Sequence, residues 1–592
     1  MLKKFLLNSL SSFVGAWIAI FLFLLGLFFL IFGLIGSAVT KETPKISSHS
    51  VMHIKLAGSI VENESAPQID MSVLISGKLE QPQTLQGLLG ALENAKHNND
   101  IEAILIECQG VSAAPATLNA LREGILDFKK SGKRVFAYGD FLSMGDYFVS
   151  TSADEIYLNP AGTLNLQGIN GVGLYFKDLL DKIGVQVQTV RVGSFKSAIE
   201  PYTSNEMSQA ARLQLDSLYT EMWDFILDKI STKTEVPVAR IDSLVNNFLF
   251  LDEASSVKSR HLVSDNLYYR QVLQKVADYV GKDVSTLNLV SPSLVYGNPA
   301  FNPNASNQIA VLYAVGEIGE FEGAGINCHT LVPLIVKLAE DDNVKGMVLR
   351  VNSPGGSVFG SDQIGEALDY FQSKGKPLAV SMGGYAASGG YWISAGADYI
   401  FADPLTITGS IGIFGMVPNI GGLAEKVGVH PQSVGTNPDA LFPAIFYPMS
   451  EAQEAALQAN VERGYEKFIS RVVNGRKKST DYIKSIAEGR VWNAIKAKDL
   501  GLVDSLGGLD DAVKWVSERL QLDNYNVVPY PFPEFNFLNM LLATTAAKSP
   551  VVSKILARMK EPEFDRQMLT FVAWLINLER VQARSPFYFF TL

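Results

Sequence analysis

A single serine among small residues is the first candidate for chemistry in this chain. Ser388 lies between Ala387 and Gly389 in the segment 381–397, SMGGYAASGGYWISAGA, whose second half has helical character. Small neighbours let a substrate carbonyl approach the hydroxyl, and the next amide, at a helix start, can face a developing oxyanion. The same pattern is compatible with a tightly packed turn, because a G-x-S-x-G-like segment depends on its structural context.

A pair of glycines supplies a second candidate. Gly355 and Gly356 lie in the segment SPGGS, directly after the apolar run VKGMVLRV that predicts a strand. Adjacent glycines let backbone N–H groups face an oxyanion without obstruction by side chains. A Pro-Gly turn without function is common, but a place on the loop after a strand, one β/α unit before Ser388, favours a functional interpretation.

The elements that must position these residues occur twice. The segment IEAILIEC, from Ile101, matches VKGMVLRV, from Val344, and ADEIYLNP, from Ala153, matches ADYIFADP, from Ala397. Strands that alternate with helices imply a largely parallel sheet. Two long copies indicate a tandem domain duplication rather than a solenoid. In the second copy, Ser450-x-x-Gln453 predicts a capping box that opens a helix.

The two copies are not equivalent at the candidate serine. Ser388 aligns with Met144, and the first copy has DFLSMGDYFVS where the second has GGYAASGGYWIS. Ser143 is one position away, and on a regular turn such a shift points the side chain elsewhere. The first copy also has CQGVSAAP in place of the glycine pair. Only the second copy therefore has the residues expected for acyl chemistry.

A lysine shows the opposite asymmetry. Lys196 lies in VGSFKSA, and the second copy has VGTNPDA, from Val434, in its place. A single lysine is ordinarily solvated. It acts as a general base only when neutral, and desolvation in an apolar pocket lowers its pKa toward the operating range. The position of Lys196 between Phe195 and small residues makes it a candidate.

Histidine is the usual base for a serine, and the chain has six histidines. None is near Ser388 in the sequence, which is weak evidence against a Ser-His-Asp site because triad members need not be close in sequence. No H-E-x-x-H pair and no P-loop occur. Two cysteines, Cys108 and Cys328, cannot form a multi-cysteine metal site. The sequence therefore predicts neither a metal nor a cofactor.

Composition and charge narrow the class of protein. The chain has 592 residues, of which 47% are hydrophobic and 19% charged, as in globular proteins. Its net charge of -10 argues against a nucleic-acid partner, which requires a basic face.

An apolar N-terminal segment predicts a membrane anchor. The run from Phe13 to Ile35 carries no charge and is about 23 residues long, enough to cross a bilayer. Lys3 and Lys4 precede it, so the N-terminus should stay in the cytoplasm and the bulk of the chain should be exported. A cleaved signal peptide is the alternative, but the run exceeds the 7–15 residues of a signal h-region. We expect a single-pass protein of the cytoplasmic (inner) membrane with its catalytic domains on the extracytoplasmic side.

The domain organisation follows from the anchor and the repeats. The tail includes two apolar stretches with helical character, 538–559 and 567–578. The predicted boundaries are 1–36 for the cytoplasmic N-terminus and anchor, 50–284 for the N-terminal repeat, 285–307 for a linker, 308–525 for the C-terminal repeat and 526–592 for a helical tail of unknown role.

Five segments together resemble the signal peptide peptidase A (protease IV) family in its long, two-repeat form. They are SPGGS, AASGGYW, TGSIG (Thr408 to Gly412), GSFKSAIEPYTS and GRVWNAIKAKDLGLVD. The resemblance covers nearly all of residues 50–525 and the anchor. It implies an α/β fold, namely a tandem duplication of a Clp-protease/crotonase-like ββα superhelical domain.

The resemblance also implies a serine endopeptidase with a Ser/Lys dyad. Ser388 matches the family's nucleophile, Lys196 its general base, and Ser410 a serine that positions the lysine. The implied oxyanion donors are backbone amides at Gly389 and in the loop that holds Gly355 and Gly356. The family degrades signal peptides left in the membrane, and its long members form homotetramers, so both properties are expected here.

Two other functions remain open from the sequence. A crotonase-like enzyme that processes acyl-CoA would use paired backbone amides and no attacking serine, although export argues against it because CoA is cytosolic. A non-catalytic membrane scaffold is disfavoured because the serine, the lysine and the glycines are all present.

Overall fold

The computed structural model describes residues 46–63, 83–296, 305–321, 323, 325–437, 439–531 and 581–584. The predicted anchor and both predicted tail helices lie outside the described residues. Among the residues that are described, no helix is both long and apolar enough to cross a membrane.

The first repeat forms a seven-stranded parallel sheet in the order β2-β1-β3-β4-β5-β7, with β8 added beside β1. Its strands, together with β6, which belongs to another sheet, are β1 Ser50–Val61, β2 Gln83–Thr84, β3 Ile101–Ser112, β4 Arg134–Leu142, β5 Glu155–Leu164, β6 Gln186–Val192, β7 Asp265–Asn266 and β8 Asn288–Val290. Its helices are α1 Leu85–His97, α2 Pro115–Lys129, α3 Met144–Ser150, α4 Lys177–Ile183, α5 Glu200–Thr203, α6 Gln209–Thr234, α7 Val238–Asn246, α8 Ala254–Ser259, α9 Tyr269–Tyr279 and α10 Pro292–Tyr296.

The second repeat forms an eight-stranded sheet along the path β18-β16-β14-β12-β9-β20, with β15 beside β14 and β19 beside β15. The strands of this part of the chain are β9 Gln308–Val315, β10 Ile318–Gly319, β11 Ile326–Asn327, β12 Val344–Ser353, β13 Gly355–Ser357, β14 Leu378–Ala387, β15 Tyr399–Ala402, β16 Ile407–Gly409, β17 Ile413–Asn419, β18 Val491–Asn493, β19 Ser505–Leu506, β20 Asn526–Tyr530 and β21 Val581–Arg584. The helices are α11 Cys328–Glu340, α12 Val358–Ser373, α13 Gly389–Ser394, α14 Gly421–Lys426, α15 Glu451–Arg476, α16 Thr480–Ile486, α17 Ala494–Asp499 and α18 Leu509–Leu520.

Continuous apolar runs become central strands because helices cover both faces of each sheet. In β3, Ile104, Leu105 and Ile106 have no exposed surface, although successive side chains point to opposite faces. Ile104 and Ile106 belong to the larger cluster of the first repeat, whereas Leu105 packs with α9 residues on the other face. These features confirm the predicted α/β fold with two parallel-sheet units. The predicted capping box also forms at the start of α15, between Ser450 and Gln453.

A third, mixed sheet joins the repeats. Strand β6 from the first repeat pairs antiparallel with β17 from the second, from Val192 opposite Ile413 to Gln186 opposite Asn419. A small apolar cluster that includes Val185, Phe414 and Met416 packs beneath this pair. Since β6 ends at Val192, the pairing fixes where the residues that follow it, including Lys196, enter the second repeat.

The stretch 285–307 differs from the predicted linker at its start. Strand β8 lies within it and pairs in parallel with Ser50–Met52 at the start of β1. Val290 is buried in the core of the first repeat. The apolar triplet Asn288–Val290 thus extends the first sheet, and helix α10 follows before the described residues stop at 296.

A buried ion pair also connects the repeats. Glu62, just after β1, accepts hydrogen bonds from Arg350 Nε at 3.0 Å and from Asn352 Nδ2 at 3.0 Å. Arg350 Nη1 donates as well to Ser381 Oγ and to the Met382 carbonyl. Both charged residues are only 5% exposed. A guanidinium buried in this way requires its carboxylate partner.

We predict that Glu62→Ala lowers the free energy of unfolding by about 3–5 kcal/mol, because it leaves the Arg350 charge buried and unpaired. Thermal and urea unfolding of the purified protein measure the change. Asp362→Ala is the matched control, since it removes the exposed pair with Lys467 and should change stability by less than about 1 kcal/mol. Equal effects of the two substitutions would contradict the assignment.

Candidate active site

Ser388 is the residue at which β14 turns into α13. Its φ of 57° and ψ of -117° lie outside the regions that L-residues ordinarily adopt. The turn is held by hydrogen bonds from Ser388 N to the Gly409 carbonyl at 2.8 Å and from Trp392 N to the Ser388 carbonyl at 2.9 Å. The side chain makes no capping hydrogen bond to the helix. Its hydroxyl is therefore directed away from the helix that it precedes.

The equivalent helix of the first repeat is preceded by a serine, Ser143, with an ordinary backbone conformation. Ser143 precedes α3 with φ -64° and ψ 167°, and its Oγ accepts a hydrogen bond from Asp146 N in a capping box. The buried Asp146 side chain in turn accepts a hydrogen bond from Val111 N, near the end of β3, at 3.2 Å. A side-chain anion thus occupies the part of the first repeat that corresponds to the candidate oxyanion site of the second.

Lys196 meets Ser388 across the interface between the repeats. Lys196 Nζ lies 2.7 Å from Ser388 Oγ, 3.1 Å from Ser410 Oγ and 3.2 Å from the Ser410 carbonyl oxygen. All three side chains are fully buried. Burial lowers the pKa of the Lys196 ammonium well below its ordinary value, because the charged form loses its hydration. The geometry and the pKa direction both fit a neutral amine that accepts the Ser388 proton.

Ser410 holds the lysine from the opposite side. Its φ of 52° turns the backbone between β16 and β17, so that hydroxyl and carbonyl face Lys196 together. Ser410 N donates to the Arg490 carbonyl at 2.7 Å, and Ser410 Oγ donates to the Gly489 carbonyl at 3.3 Å. The second repeat thus supplies Ser388 and the groups that orient the first repeat's lysine.

The three predicted oxyanion glycines lie together. An ideal Cβ on Gly389 would be 3.2 Å from Gly355 Cα and 3.2 Å from Gly356 N, so the start of α13 packs against β13. Gly355 and Gly356 have φ of 105° and 151°, which side chains disfavour. Gly355 differs in one respect, because its N–H donates to Ser353 Oγ at 3.2 Å.

A strand from the tail lies beside these glycines. The backbone of β21 pairs antiparallel with β13, with Ala583 opposite Gly356, and antiparallel with β17, with Gln582 opposite Phe414. The gap between β13 and β17 therefore accommodates one extended peptide backbone in antiparallel register. This is how an extended ligand is bound when a strand is added to a sheet.

Other reactive side chains lie apart from this site. Within the described ranges, no group of three or more His, Cys, Asp or Glu residues could hold a metal ion. Cys108 and Cys328 are both buried. Burial raises the pKa of Cys108, which hydrogen bonds to Ser150 in the first repeat.

Sequence reasoning missed the residues that support the lysine. Glu488, Gly489 and Arg490 contact the segment around Lys196 from the second repeat, and only Gly489 and Arg490 belong to the segments that carried the family resemblance. The signal that could have found them is the left-handed turn implied by a glycine after α16. Asp146 was also missed, although an acidic residue in the degenerate copy replaces Gly390 of the intact one.

A serine on a strained strand-to-helix turn, a buried lysine within hydrogen-bond reach and facing backbone amides define a serine hydrolase site on an α/β fold. A family model, Peptidase family S49, matches residues 127–284 and 370–523, and a Clp protease model matches residues 326–404. The chain belongs to peptidase family S49, the serine peptidases that include the two-repeat protease 4 proteins. The Clp protease match lies within the second repeat.

Curated relatives agree with this assignment over most of the chain. Protease 4 of Haemophilus influenzae is 34% identical over 492 residues, which are 80% of this chain and 79% of the relative. Protease 4 of Salmonella typhi is 35% identical over 76% of this chain and 74% of the relative. The chloroplastic serine protease SPPA of Arabidopsis thaliana is 24% identical over 81% of this chain and 70% of the relative.

We predict that Lys196→Met stabilises the protein at pH 7. The unfolded chain binds a proton at this lysine below pH 10.5, whereas the folded protein, whose lysine pKa is lowered, does not until the pH falls further. The wild type therefore gains stability as pH rises between the two pKa values, by about 1.4 kcal/mol per unit. The excess stability of the variant should shrink toward pH 10.5.

Urea unfolding at pH 7, 8.5 and 10 measures this difference. Lys514→Met is the control, because its side chain is 73% exposed and its replacement should change stability by less than about 0.5 kcal/mol. A variant less stable than wild type at pH 7, or an excess that grows with pH, would show that Lys196 is not held neutral.

Proposed function

We propose that this peptidase is a membrane-anchored Ser/Lys endopeptidase that degrades signal peptides after their release from preproteins. The observation that carries the catalytic part is the 2.7 Å contact between Lys196 Nζ and Ser388 Oγ, which exists only because both repeats contribute. The family resemblance and the apolar segment 13–35 support the substrate and the location.

The reaction follows from this contact. Neutral Lys196 Nζ takes the hydroxyl proton of Ser388 while Oγ attacks the carbonyl carbon of the peptide bond. The resulting oxyanion faces the amides of Gly389 and Gly356. The Gly355 N–H already donates a hydrogen bond to Ser353 Oγ, so we assign Gly355 the role of shaping the turn.

Collapse of the tetrahedral intermediate breaks the C–N bond. The Lys196 ammonium returns its proton to the leaving amine, and an ester of Ser388 remains. Lys196, neutral again, removes a proton from water as the water attacks the ester carbonyl. The second intermediate expels Ser388 Oγ, which recovers its proton from Lys196. Ser410 keeps the lysine aligned through both halves of the cycle.

An extended peptide suits the groove between β13 and β17. Strand β21 has the backbone conformation and antiparallel register that a bound substrate would adopt there. A substrate in the same gap would have to replace β21. An acyl-CoA ligand has no run of amides with which to pair, so this gap favours a peptide substrate.

We predict that the purified full chain cleaves a synthetic signal peptide and that Ser388→Ala and Lys196→Ala both reduce cleavage at least 1000-fold, since each removes one member of the dyad. Ser143→Ala is the matched control, because this serine precedes the equivalent helix but only caps it. It should keep full activity and lose about 1 kcal/mol of stability.

Cleavage is measured by mass spectrometry, beside a polar peptide of the same length and an acyl-CoA. Equal cleavage by wild type, Ser388→Ala and Lys196→Ala would refute the dyad. Turnover of the acyl-CoA without labelling of Ser388 by a fluorophosphonate would favour the crotonase-like alternative. Binding of signal peptide without any turnover by wild type would favour the scaffold.

We also predict that residues 50–525 are degraded by protease added outside spheroplasts, because Lys3 and Lys4 retain the N-terminus in the cytoplasm. A cytoplasmic marker protein serves as the control for leakage. Protection of the repeats until the membrane is dissolved would invert the proposed topology.

A homotetramer is the assembly that we propose for the extracytoplasmic part. Large apolar side chains are exposed on the surface, among them Val172, Leu174 and Val434. Such side chains are often covered in oligomers or at membranes. Sedimentation of the detergent-solubilised protein should give four times the mass of the chain, and a monomer would contradict the proposal.

A further inference from the structure

Three residues between α16 and β18 contact both the base and the serine that orients it. We propose that Glu488, Gly489 and Arg490, the 488–490 loop, set the position of Lys196, with Gly489 as the positioning residue that permits the close approach. The inference rests on the role of Lys196 given under Proposed function. The proposal adds a loop of the second repeat whose backbone positions Lys196.

Gly489 packs directly against the backbone of Lys196. An ideal Cβ on Gly489 would lie 2.8 Å from Lys196 Cβ, 2.8 Å from its N and 2.9 Å from its Cα. The φ of Gly489 is +75°, and its N–H donates to the Ile411 carbonyl at 2.8 Å. Because these contacts involve backbone and Cβ, any larger residue must displace the start of the lysine side chain.

Glu488 fastens the segment that precedes the lysine. Its carboxylate accepts hydrogen bonds from Ser194 N at 3.1 Å and Ser194 Oγ at 2.9 Å, and its carbonyl accepts from Phe195 N at 2.9 Å. Glu488 has a φ of 56°. Its side chain and Ser194 are exposed, so these bonds orient the segment without belonging to the core.

The other end of the loop holds Ser410. The Arg490 carbonyl accepts from Ser410 N at 2.7 Å, and the Gly489 carbonyl accepts from Ser410 Oγ at 3.3 Å. The Arg490 guanidinium lies over the rings of Phe195, at 5.0 Å, and Trp492, at 4.2 Å. One three-residue loop therefore fixes Lys196 relative to Ser410, which fixes the direction of Nζ toward Ser388.

The first repeat contains the turn without the glycine. The segment LDEASSVKSRHLVSD, from Leu251, matches VWNAIKAKDLGLVDS, from Val491, so Phe248 corresponds to Glu488. Phe248 has a similar φ of 61°, but the next residue is Leu249, which is buried in the first core. The second repeat's segment at the corresponding place, VGTNPDA, has no lysine. The turn therefore has a glycine in the second repeat, where it contacts Lys196. It has no glycine in the first repeat, where the corresponding partner segment has no lysine.

The test compares two glycines with nearly the same φ. Gly489 has φ +75° and Gly375 has φ +76°, but an ideal Cβ on Gly375 meets nothing within 4 Å. Gly489→Ala and Gly375→Ala therefore both place a Cβ on a residue with a positive φ, and only Gly489→Ala displaces Lys196. Thermal unfolding of the two full-length variants checks that both remain folded and measures the additional cost of the displacement in Gly489→Ala.

The readout is the second-order rate of labelling by a fluorophosphonate as a function of pH. Gly489→Ala should slow labelling about 100-fold, as expected for a misplaced catalytic group, whereas Gly375→Ala stays within about threefold of wild type. Displacement of Lys196 lets water reach its ammonium form, and this hydration raises the lysine pKa. The pH midpoint of labelling should therefore move upward in Gly489→Ala alone. Equal rates and midpoints for the two variants would overturn the proposal.

A second pair of variants decides the matter if Gly489→Ala does not fold. Glu488→Ala should lower kcat about fivefold with KM unchanged, because it removes the acceptor of two hydrogen bonds from Ser194. Glu488→Gln should restore kcat, because its amide oxygen can still accept both hydrogen bonds. No loss in Glu488→Ala, or loss without rescue in Glu488→Gln, would overturn the proposal. Wild-type labelling in Lys196→Ala would instead refute the dyad itself.

Discussion

The rest of this structure depends on the contact between the fully buried Lys196 amine and the Ser388 hydroxyl at the interface between the repeats. Lys196 Nζ has two serine hydroxyls and one carbonyl oxygen as partners, and no carboxylate is among them. A carboxylate there would favour the ammonium and abolish the base. Complete burial and neutral partners have the opposite effect. The site therefore requires tight closure between two domains more than it requires any additional charged residue.

Duplication makes that closure possible. Lys196 follows strand β6 of the first repeat, and Ser388 lies on a turn of the second, so neither copy alone contains the proposed dyad. Antiparallel pairing of β6 with β17 and the Glu62–Arg350 pair fix the two copies together. In the first copy, Ser143 caps a helix, and the Asp146 side chain accepts a hydrogen bond from the backbone N–H of Val111. The first copy thus kept the fold while losing the space for a substrate oxyanion.

The repeated β/α pattern predicted the two parallel sheets, because continuous apolar runs such as IEAILIEC have few alternatives to a central strand. Comparison of the copies singled out Ser388 and Lys196, since each is missing from the other half. It could not place them in contact, because the β6–β17 pairing is a long-range register that local propensity does not encode. Nor could it reveal the 488–490 loop, whose effect depends on a backbone approach that only glycine permits. Strand β8 was predicted as linker because three residues give too short a pattern.

Three of the residues that make the site have a strained backbone. Ser388, Ser410 and Glu488 all have positive φ, between 52° and 57°, although none is a glycine. Each such residue costs on the order of 1 kcal/mol or more, and it persists only where its surroundings over-determine it. Here the surroundings are the fully buried ends of β14 and β16 and the hydrogen bonds that join residues 409–411 to the neighbouring turns. A relaxed turn at Ser388 would let its hydroxyl cap α13, as Ser143 caps α3. The strain therefore keeps the Ser388 hydroxyl available to Lys196.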